Sequence, residues 1–300
     1  MEKPTILTKL IGNTPLIKLD SFCSEHYNIY AKLEGENIGG SIKDRVALAL
    51  IKDLEKKHLL DETKTIFEPS SGNTGIGLAM IGTKKGYKVK IMLPDNATAE
   101  RVAIMKMFGA EIEFCKKEEW IGDSAIKKAK EMVKNDLSLV MPNQYENQTC
   151  VQVHFENTGK EIIEQLPNIT HLVATVGTGG TITGIGKRMK KYNKDIQVVG
   201  VEVGPNSSIP GPRSLKGYVP PILDFNFIDQ GFKIQNEEKV YKIHKKLCTK
   251  EGLFYGISSA ASLHGALEIA KKIKQSNRKK AQIVCIFPDR GEKYLSKFLK

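Results

Sequence analysis

Thr65-Ile-Phe-Glu-Pro-Ser-Ser-Gly-Asn-Thr-Gly75 reads as a short apolar strand that runs straight into a turn of small hydroxyl, glycine and amide residues. The residues that follow, Gly75 to Lys85, place Ile76, Leu78, Ala79 and Ile81 on a helix. Ser70, Ser71, Gly72, Asn73 and Thr74 are then the strand-to-helix turn of a βα unit. Such a turn presents backbone N–H groups, hydroxyls and a helix N-terminus to a small anion, and a carboxylate suits it. Thr170 to Val176 repeat the pattern, an apolar strand entering Gly177-Thr178-Gly179-Gly180-Thr181 and then a helix from Gly184 to Tyr192. Here the glycines let the backbone come close to a phosphate. This loop lacks the Gly-Lys-Ser/Thr ending of a nucleotide P-loop, and Ile182 stands where the dinucleotide fingerprint needs its third glycine. Taken alone, any tight βα turn could carry it.

A third stretch, Gly39-Gly-Ser-Ile-Lys-Asp-Arg45, precedes the apolar-periodic run Val46, Leu48, Leu50, Ile51 and Leu54. Ser41 with Asp44 three residues on has the form of a helix N-cap, which puts Lys43 in the first turn. A cation is unfavourable at a helix N-terminus, so Lys43 is pushed toward the neutral amine that forms a Schiff base with a carbonyl cofactor. A solvated lysine at a helix start is the alternative for the heptapeptide by itself.

Strands expected at Asn28–Leu33, Val89–Leu93, Leu172–Val176, Val198–Val203 and Ile283–Phe287 alternate with helices, a parallel doubly wound α/β pattern. Three hundred residues suffice for one large or two ordinary domains, and 40% hydrophobic residues lie within the globular range. No apolar run approaches the ~18 residues of a membrane span, and Met1-Glu-Lys-Pro-Thr5 has no signal-type apolar core, so a cytoplasmic protein is expected. A net charge of +12 invites a nucleic-acid reading. The basic runs Lys187–Lys191, Lys271–Lys274 and Arg278–Lys280 lie on helix faces backed by apolar residues, without a groove-reading module, so no nucleic-acid partner is expected. The five cysteines are scattered and suit a reducing compartment, with Cys285 a small core residue of its strand. Cys150 and His154 could share a helix face, but two ligands without a third do not make a zinc site, and no metal is expected.

The motifs occur in an order that resembles the cysteine synthase (O-acetylserine sulfhydrylase) and cystathionine β-synthase family of pyridoxal-phosphate enzymes. The similarity begins at Ile11-Gly-Asn-Thr-Pro-Leu16 and Ala31-Lys-Leu-Glu34 and takes in the three stretches above. It continues through Asn143-Gln-Tyr145, Pro210-Gly-Pro212, Gly256-Ile-Ser-Ser259 and Pro288-Asp-Arg-Gly-Glu-Lys-Tyr-Leu295. The resemblance implies the tryptophan-synthase β-subunit fold (fold type II), two doubly wound α/β domains with the cofactor between them. It implies a small domain over residues 37–145 and a large domain formed by 1–36 plus 146–300, without the regulatory extension of cystathionine β-synthases. Lys43 would hold pyridoxal 5′-phosphate as a Schiff base and take the substrate's α-proton. Gly177, Thr178, Gly179, Gly180 and Thr181 would receive the cofactor phosphate, and Asn73 the ring hydroxyl. Ser70, Ser71, Gly72 and Thr74 would clamp the substrate carboxylate, with Gln144 helping.

Ser258 falls where this family meets the pyridine nitrogen. A neutral hydroxyl does not keep that nitrogen protonated as an aspartate would, so elimination at the β-carbon through an aminoacrylate is favoured over a long-lived carbanion. Without the wider match, a serine capping the following helix reads as well. The acetylserine enzymes carry Gly-Ile-Gly-x-x-Phe facing the substrate, where this chain has Lys216-Gly-Tyr-Val-Pro-Pro221. Gly217 survives and Tyr218 makes the lip bulkier. Ser70 replaces a common threonine, and Asn37-Ile-Gly-Gly40 replaces Asn-Pro. These departures weigh against acetylserine as donor and against docking by serine acetyltransferase; family frequency weighs the other way. The expected activity is β-replacement on a small amino acid, O-acetyl-L-serine plus sulfide giving L-cysteine and acetate, by a homodimer. The alternative uses L-cysteine as substrate and releases hydrogen sulfide, with serine or lanthionine as product. An inactive binding protein on this fold is disfavoured, because Lys43, Asn73 and Ser258 are all present.

Overall fold

The computed structural model describes residues 6–70, 72–116, 123–274 and 280–298. In chain order the elements are α1 (Ile6–Lys9), β1 (Leu16–Lys18), β2 (Tyr27–Leu33), α2 (Lys43–Lys56), β3 (Thr65–Pro69), α3 (Asn73–Lys84), β4 (Lys88–Pro94), α4 (Ala99–Met107), β5 (Glu111–Cys115), α5 (Ser124–Asn135) and β6 (Leu139–Val140). There follow α6 (Thr149–Val153), a π-helical turn at His154–Thr158, α7 (Gly159–Gln165), β7 (His171–Thr175), α8 (Gly180–Tyr192), β8 (Gln197–Glu202), β9 (Gln230–Lys233), α9 (Glu237–Lys246), α10 (Ile257–Lys274), β10 (Ala281–Phe287) and α11 (Leu295–Phe298). Among the described residues, no helix is long and apolar enough to cross a membrane.

The chain divides into two compact units. The first comprises residues 1–11, 37–150 and 293–300, and the second residues 12–36 and 151–292. The sequence-based boundary differs, since residues 1–11 and 293–300 fall with 37–150. Leu7 and Ile11 pack on the first unit's core, and Ser296 bonds Glu100 of α4 there.

In the first unit the strands run in the order β5-β4-β3-β6, all parallel. Side chains alternate across a strand, so a sheet covered on both faces must be apolar at every position. Ile66 of β3 with Val89, Ile91 and Leu93 of β4 join one core with α2 and α3, whereas Phe67 and Met92 join a second with Ala125 and Ala129 of α5. In the second unit the order is β1-β2-β10-β7-β8-β9, parallel except for β1 against β2. Cys285 is fully buried in β10, as its apolar strand predicts.

Both helices that follow the glycine-rich turns begin earlier than their apolar spacing predicts, at Asn73 rather than Gly75 and at Gly180 rather than Gly184. Glycine costs little at the first helical positions, where N–H groups have no ladder partner in any case. The ladders start with the Ile76 N–H on the Gly72 carbonyl and the Thr183 N–H on the Gly179 carbonyl. The basic run on α8 is paired within its own unit. Lys190 Nζ reaches Asp229 and the carbonyls of Lys194 and Ile196, and Lys187, Arg188 and Lys191 surround the Phe155 ring.

A Cβ on Gly184 of α8 would lie 2.3 Å from the Val151 carbonyl oxygen and 2.8 Å from His154 Cβ. Backbone cannot rotate away as a side-chain tip can. Gly184→Ala is therefore expected to lower unfolding free energy by about 1–3 kcal/mol, the usual range for overpacking. Urea denaturation of the two proteins checks this.

Candidate functional site

In the first unit Lys43 opens α2, in the first turn as expected. Ile42 occupies the capping position and makes no side-chain cap bond. Ser41 Oγ accepts the Lys43 N–H at 3.2 Å. Asp44 Oδ2 accepts the Gly39 N–H at 2.7 Å and so closes the Gly39–Ser41 loop. Lys43 keeps some contact with solvent, yet the protein packed around it disfavours the ammonium and holds its pKa below the ordinary lysine value. Burial is the main cause. Cys150, electrostatically coupled to Lys43, is pushed up to about 12 by its own burial, so it stays a neutral thiol and brings no counter-charge.

The turn after β3 lies in the same unit. A Cβ on Gly77 of α3 would stand 3.3 Å from the Lys43 carbonyl oxygen, so α2 and α3 approach closely at their starts. Ser70 Oγ accepts the Gly75 N–H at 3.0 Å and the Gly72 N–H at 3.4 Å, which makes Ser70 the shaper of the turn. Thr74 Oγ1 donates to Gln144 Oε1 at 2.6 Å, and Gln144 Nε2 donates to the Pro69 carbonyl at 3.4 Å. The Arg101 guanidinium backs Gly72, with Cζ 3.3 Å from where a Cβ would be. Ser71, also expected in this turn, lies outside the described residues.

Two further residues of this unit carry the turn and are not singled out by the sequence reading. Glu68, fully buried on β3, accepts the Asn143 N–H at 2.9 Å and the Gln144 N–H at 3.1 Å. These bonds hold Asn143 at a φ of 56° and present Gln144 to Thr74. Lys293 Nζ donates to the carbonyls of Gly39 and Gly40 at 2.9 and 3.1 Å and to Asn73 Oδ1 at 3.0 Å. A charged residue inside the apolar strand Thr65–Pro69 was the available signal for Glu68; Lys293 sits in a quoted motif, without a role.

The second unit holds the other set. Gly179 has a φ of 91°, and a Cβ on it would lie 2.7 Å from Leu223 Cβ. A Cβ on Gly177 would lie 3.0 Å from the Gly211 carbonyl oxygen. Gly177 and Gly179 thus leave no room for a side chain, while Thr178 and Thr181 carry theirs in the same turn. The N–H groups ahead of the α8 ladder are those a helix start offers to an anion. Thr181 Oγ1 lies 3.2 Å from His154 Nε2, and His154 Nδ1 lies 3.0 Å from Thr158 Oγ1, so this buried imidazole fixes the last hydroxyl of the turn. His154, read beforehand only as half of a metal pair, has its ring engaged here.

Ser258 is buried as the second residue of α10. It therefore sits within the first turn and not at the cap. Gly211 joins it to the phosphate turn, since a Cβ there would lie 3.7 Å from Ser258 Cβ. Arg213 donates its N–H to the Val176 carbonyl and lays its guanidinium 5.6 Å from the Tyr218 ring centroid. Gly217 beside Tyr218 has open space about its α-carbon.

A family profile described as "Pyridoxal-phosphate dependent enzyme" matches residues 7–289. The chain belongs to this family. It is 40% identical over 302 residues to a cysteine synthase of Aquifex aeolicus (strain VF5), covering 98% of this chain and 91% of the relative. A solved structure of a hydrogen sulfide-producing enzyme from Fusobacterium nucleatum is 34% identical, with a TM-score of 0.89 over 98% of this chain and 99% of that one. O-ureido-L-serine synthase is 30% identical, with a TM-score of 0.90 over 98% and 94%. The fold is the type II fold that the resemblance implies, the cofactor is pyridoxal 5′-phosphate, and the chain is an enzyme of the β-replacement class.

The residues present fit this cofactor on observations of the structure itself. The helix start at Gly179–Gly180 offers N–H groups suited to a phosphate, a lysine drawn toward neutrality suits attack on a carbonyl, and Ser258 offers a neutral hydroxyl beside Gly211 of the same unit.

Burial raises Glu68 to about 7 against the opposing pull of its hydrogen bonds from Gln144 and Asn143. A carboxyl with a raised folded-state pKa contributes stability that is present below the ordinary carboxylate range and is lost as the pH rises to about 7. Glu68→Gln does not titrate. Relative to that variant, the wild type should lose roughly 1–3 kcal/mol between about pH 5 and about pH 8, read from paired thermal melts.

Proposed function

We propose that the chain makes L-cysteine and acetate from O-acetyl-L-serine and hydrosulfide. The observation that carries this reading is likeness to cysteine synthase over nearly the whole chain. The carbonyl cofactor supplies an electron sink for the bond to the α-hydrogen. Lys43 Nζ carries the cofactor and, as the neutral amine its burial favours, accepts the α-proton. Asn73 meets the ring hydroxyl and Ser258 Oγ the ring nitrogen, while the N–H groups of Gly177–Thr181 hold the phosphate. Ser70, Ser71, Gly72 and Thr74 receive the substrate carboxylate, with Gln144 steadying the Thr74 hydroxyl at 2.6 Å. The family resemblance supports a cytoplasmic homodimer, and the altered Lys216–Pro221 lip weighs against docking by serine acetyltransferase.

A second reading has a specific observation behind it. The lip residue Tyr218 lies under Arg213, and one relative of 34% identity is described as producing hydrogen sulfide. On this reading L-cysteine is the substrate and hydrosulfide the leaving group. The bulk of Tyr218 favours the compact thiol over an acetoxy group on this reading.

Incubation with O-acetyl-L-serine plus sulfide, and separately with L-cysteine alone, followed by mass spectrometry of products, separates the two. Cysteine from the first mixture supports cysteine synthesis; sulfide from the second supports the alternative. Borohydride reduction and peptide mapping should place the cofactor on Lys43, and Lys43→Ala should abolish either activity. Tyr218→Gly should shift preference toward O-acetyl-L-serine by an amount equivalent to about 1–3 kcal/mol, read as the ratio of kcat/KM values.

A further inference from the structure

Lys293 lies in the stretch Pro288–Leu295, to which the functional reading assigns nothing. It is 5% exposed, and it donates hydrogen bonds to the carbonyls of Gly39 and Gly40 and to Asn73 Oδ1. An ammonium has three protons and no acceptor, and each of these contacts is to an oxygen that can accept. The contact also decides which way Asn73 points. A carboxamide's oxygen and nitrogen are otherwise interchangeable in shape, but only the oxygen can face a cation.

We propose that Lys293 is a positioning residue for the cofactor ring: it fixes Asn73 with its oxygen toward the ammonium, so that the amide's donor half serves the ring hydroxyl, and it holds the Gly39–Gly40 loop that leads into Lys43. This rests on the reading that Asn73 meets that hydroxyl. A charged donor on the oxygen polarises the amide and strengthens donation from its nitrogen. The ionised form of the ring hydroxyl is then favoured, which a bound cofactor reports in its visible absorption.

The segment that delivers Lys293 is anchored at Lys293 itself and at the residues that follow it. The Lys293 carbonyl accepts from Thr98 Oγ1 at 3.2 Å, the Arg101 guanidinium lies 4.5 Å from the Tyr294 ring centroid, and Ser296 donates its N–H and Oγ–H to the Glu100 carboxylate. Residues 98–101 precede and begin α4, so the lysine's backbone is held against the same helix whose Arg101 backs Gly72. A long flexible side chain so constrained loses less freedom on making its bonds.

The test compares cofactor-loaded Lys293→Met, Lys293→Arg and Asn73→Ala with the wild type, by absorption spectrum and by cofactor affinity. Asn73→Ala defines the spectral change that follows loss of the bond to the ring hydroxyl. Lys293→Met should move the spectrum in the same direction and weaken cofactor binding by about tenfold, whereas Lys293→Arg should retain most of the wild-type spectrum. If Asn73→Ala changes both readouts and Lys293→Met changes neither, the proposal is wrong and the Asn73 reading stands. If Asn73→Ala changes neither, the Asn73 reading fails and the proposal with it. Should Lys293→Met not fold, Lys293→Gln takes its place: a spectrum shifted in Gln and kept in Arg supports the role, and the same spectrum in Gln, Arg and wild type overturns it.

Discussion

A helix that begins directly after a parallel strand leaves its first N–H groups without ladder partners, and two such starts, at Gly72–Asn73 and Gly179–Gly180, are the places where the proposed function puts its anions. The parallel sheets make the arrangement repeatable, because each crossover returns a new helix start to the carboxyl ends of the strands. Small residues then decide how closely neighbouring loops pack against the turn. At Gly177 and Gly179 the Gly211 carbonyl and Leu223 stand where a Cβ would be.

Around these starts the first unit handles charge by burial more than by pairing. Lys43 is lowered, Cys150 raised and Glu68 raised, each chiefly because surrounding protein disfavours its charged form. The result is a nucleophile disposed to be an amine beside a thiol that stays protonated. Lys293 is the contrasting case, a buried cation met by three oxygens.

Much of the fold was legible in local pattern, because strands covered on both faces read as continuous apolar runs, and β3, β4, β7, β8 and β10 fall where those runs lie. Helix starts were less legible. Apolar spacing begins only where a helix buries a face, and Asn73 and Gly180 precede that point. Spacing alone does not tell which backbone N–H a carboxylate will reach; Asp44 reached Gly39. The turns themselves could be read from residue type, whereas Glu68, Arg101, His154 and Lys293 act through partners distant in sequence, and no window of neighbouring residues contains those pairs.

The first unit is not written continuously in the chain. Its body is encoded by residues 37–150, yet the segment bearing Lys293 and Tyr294 follows only after the whole of 151–292. A ribosome that has released residue 150 has made every strand of that unit's sheet but not the lysine that steadies the loop before Lys43, nor the ring that lies against Arg101. Until the later segment arrives, α4 carries an unfilled contact surface and Asn73 has no cation to set its amide. Contacts of such long sequence separation form late, because closing the intervening loop costs entropy that they alone repay. The contacts that steady the loop before Lys43 are thus deferred during synthesis until residues 151–292 have been made.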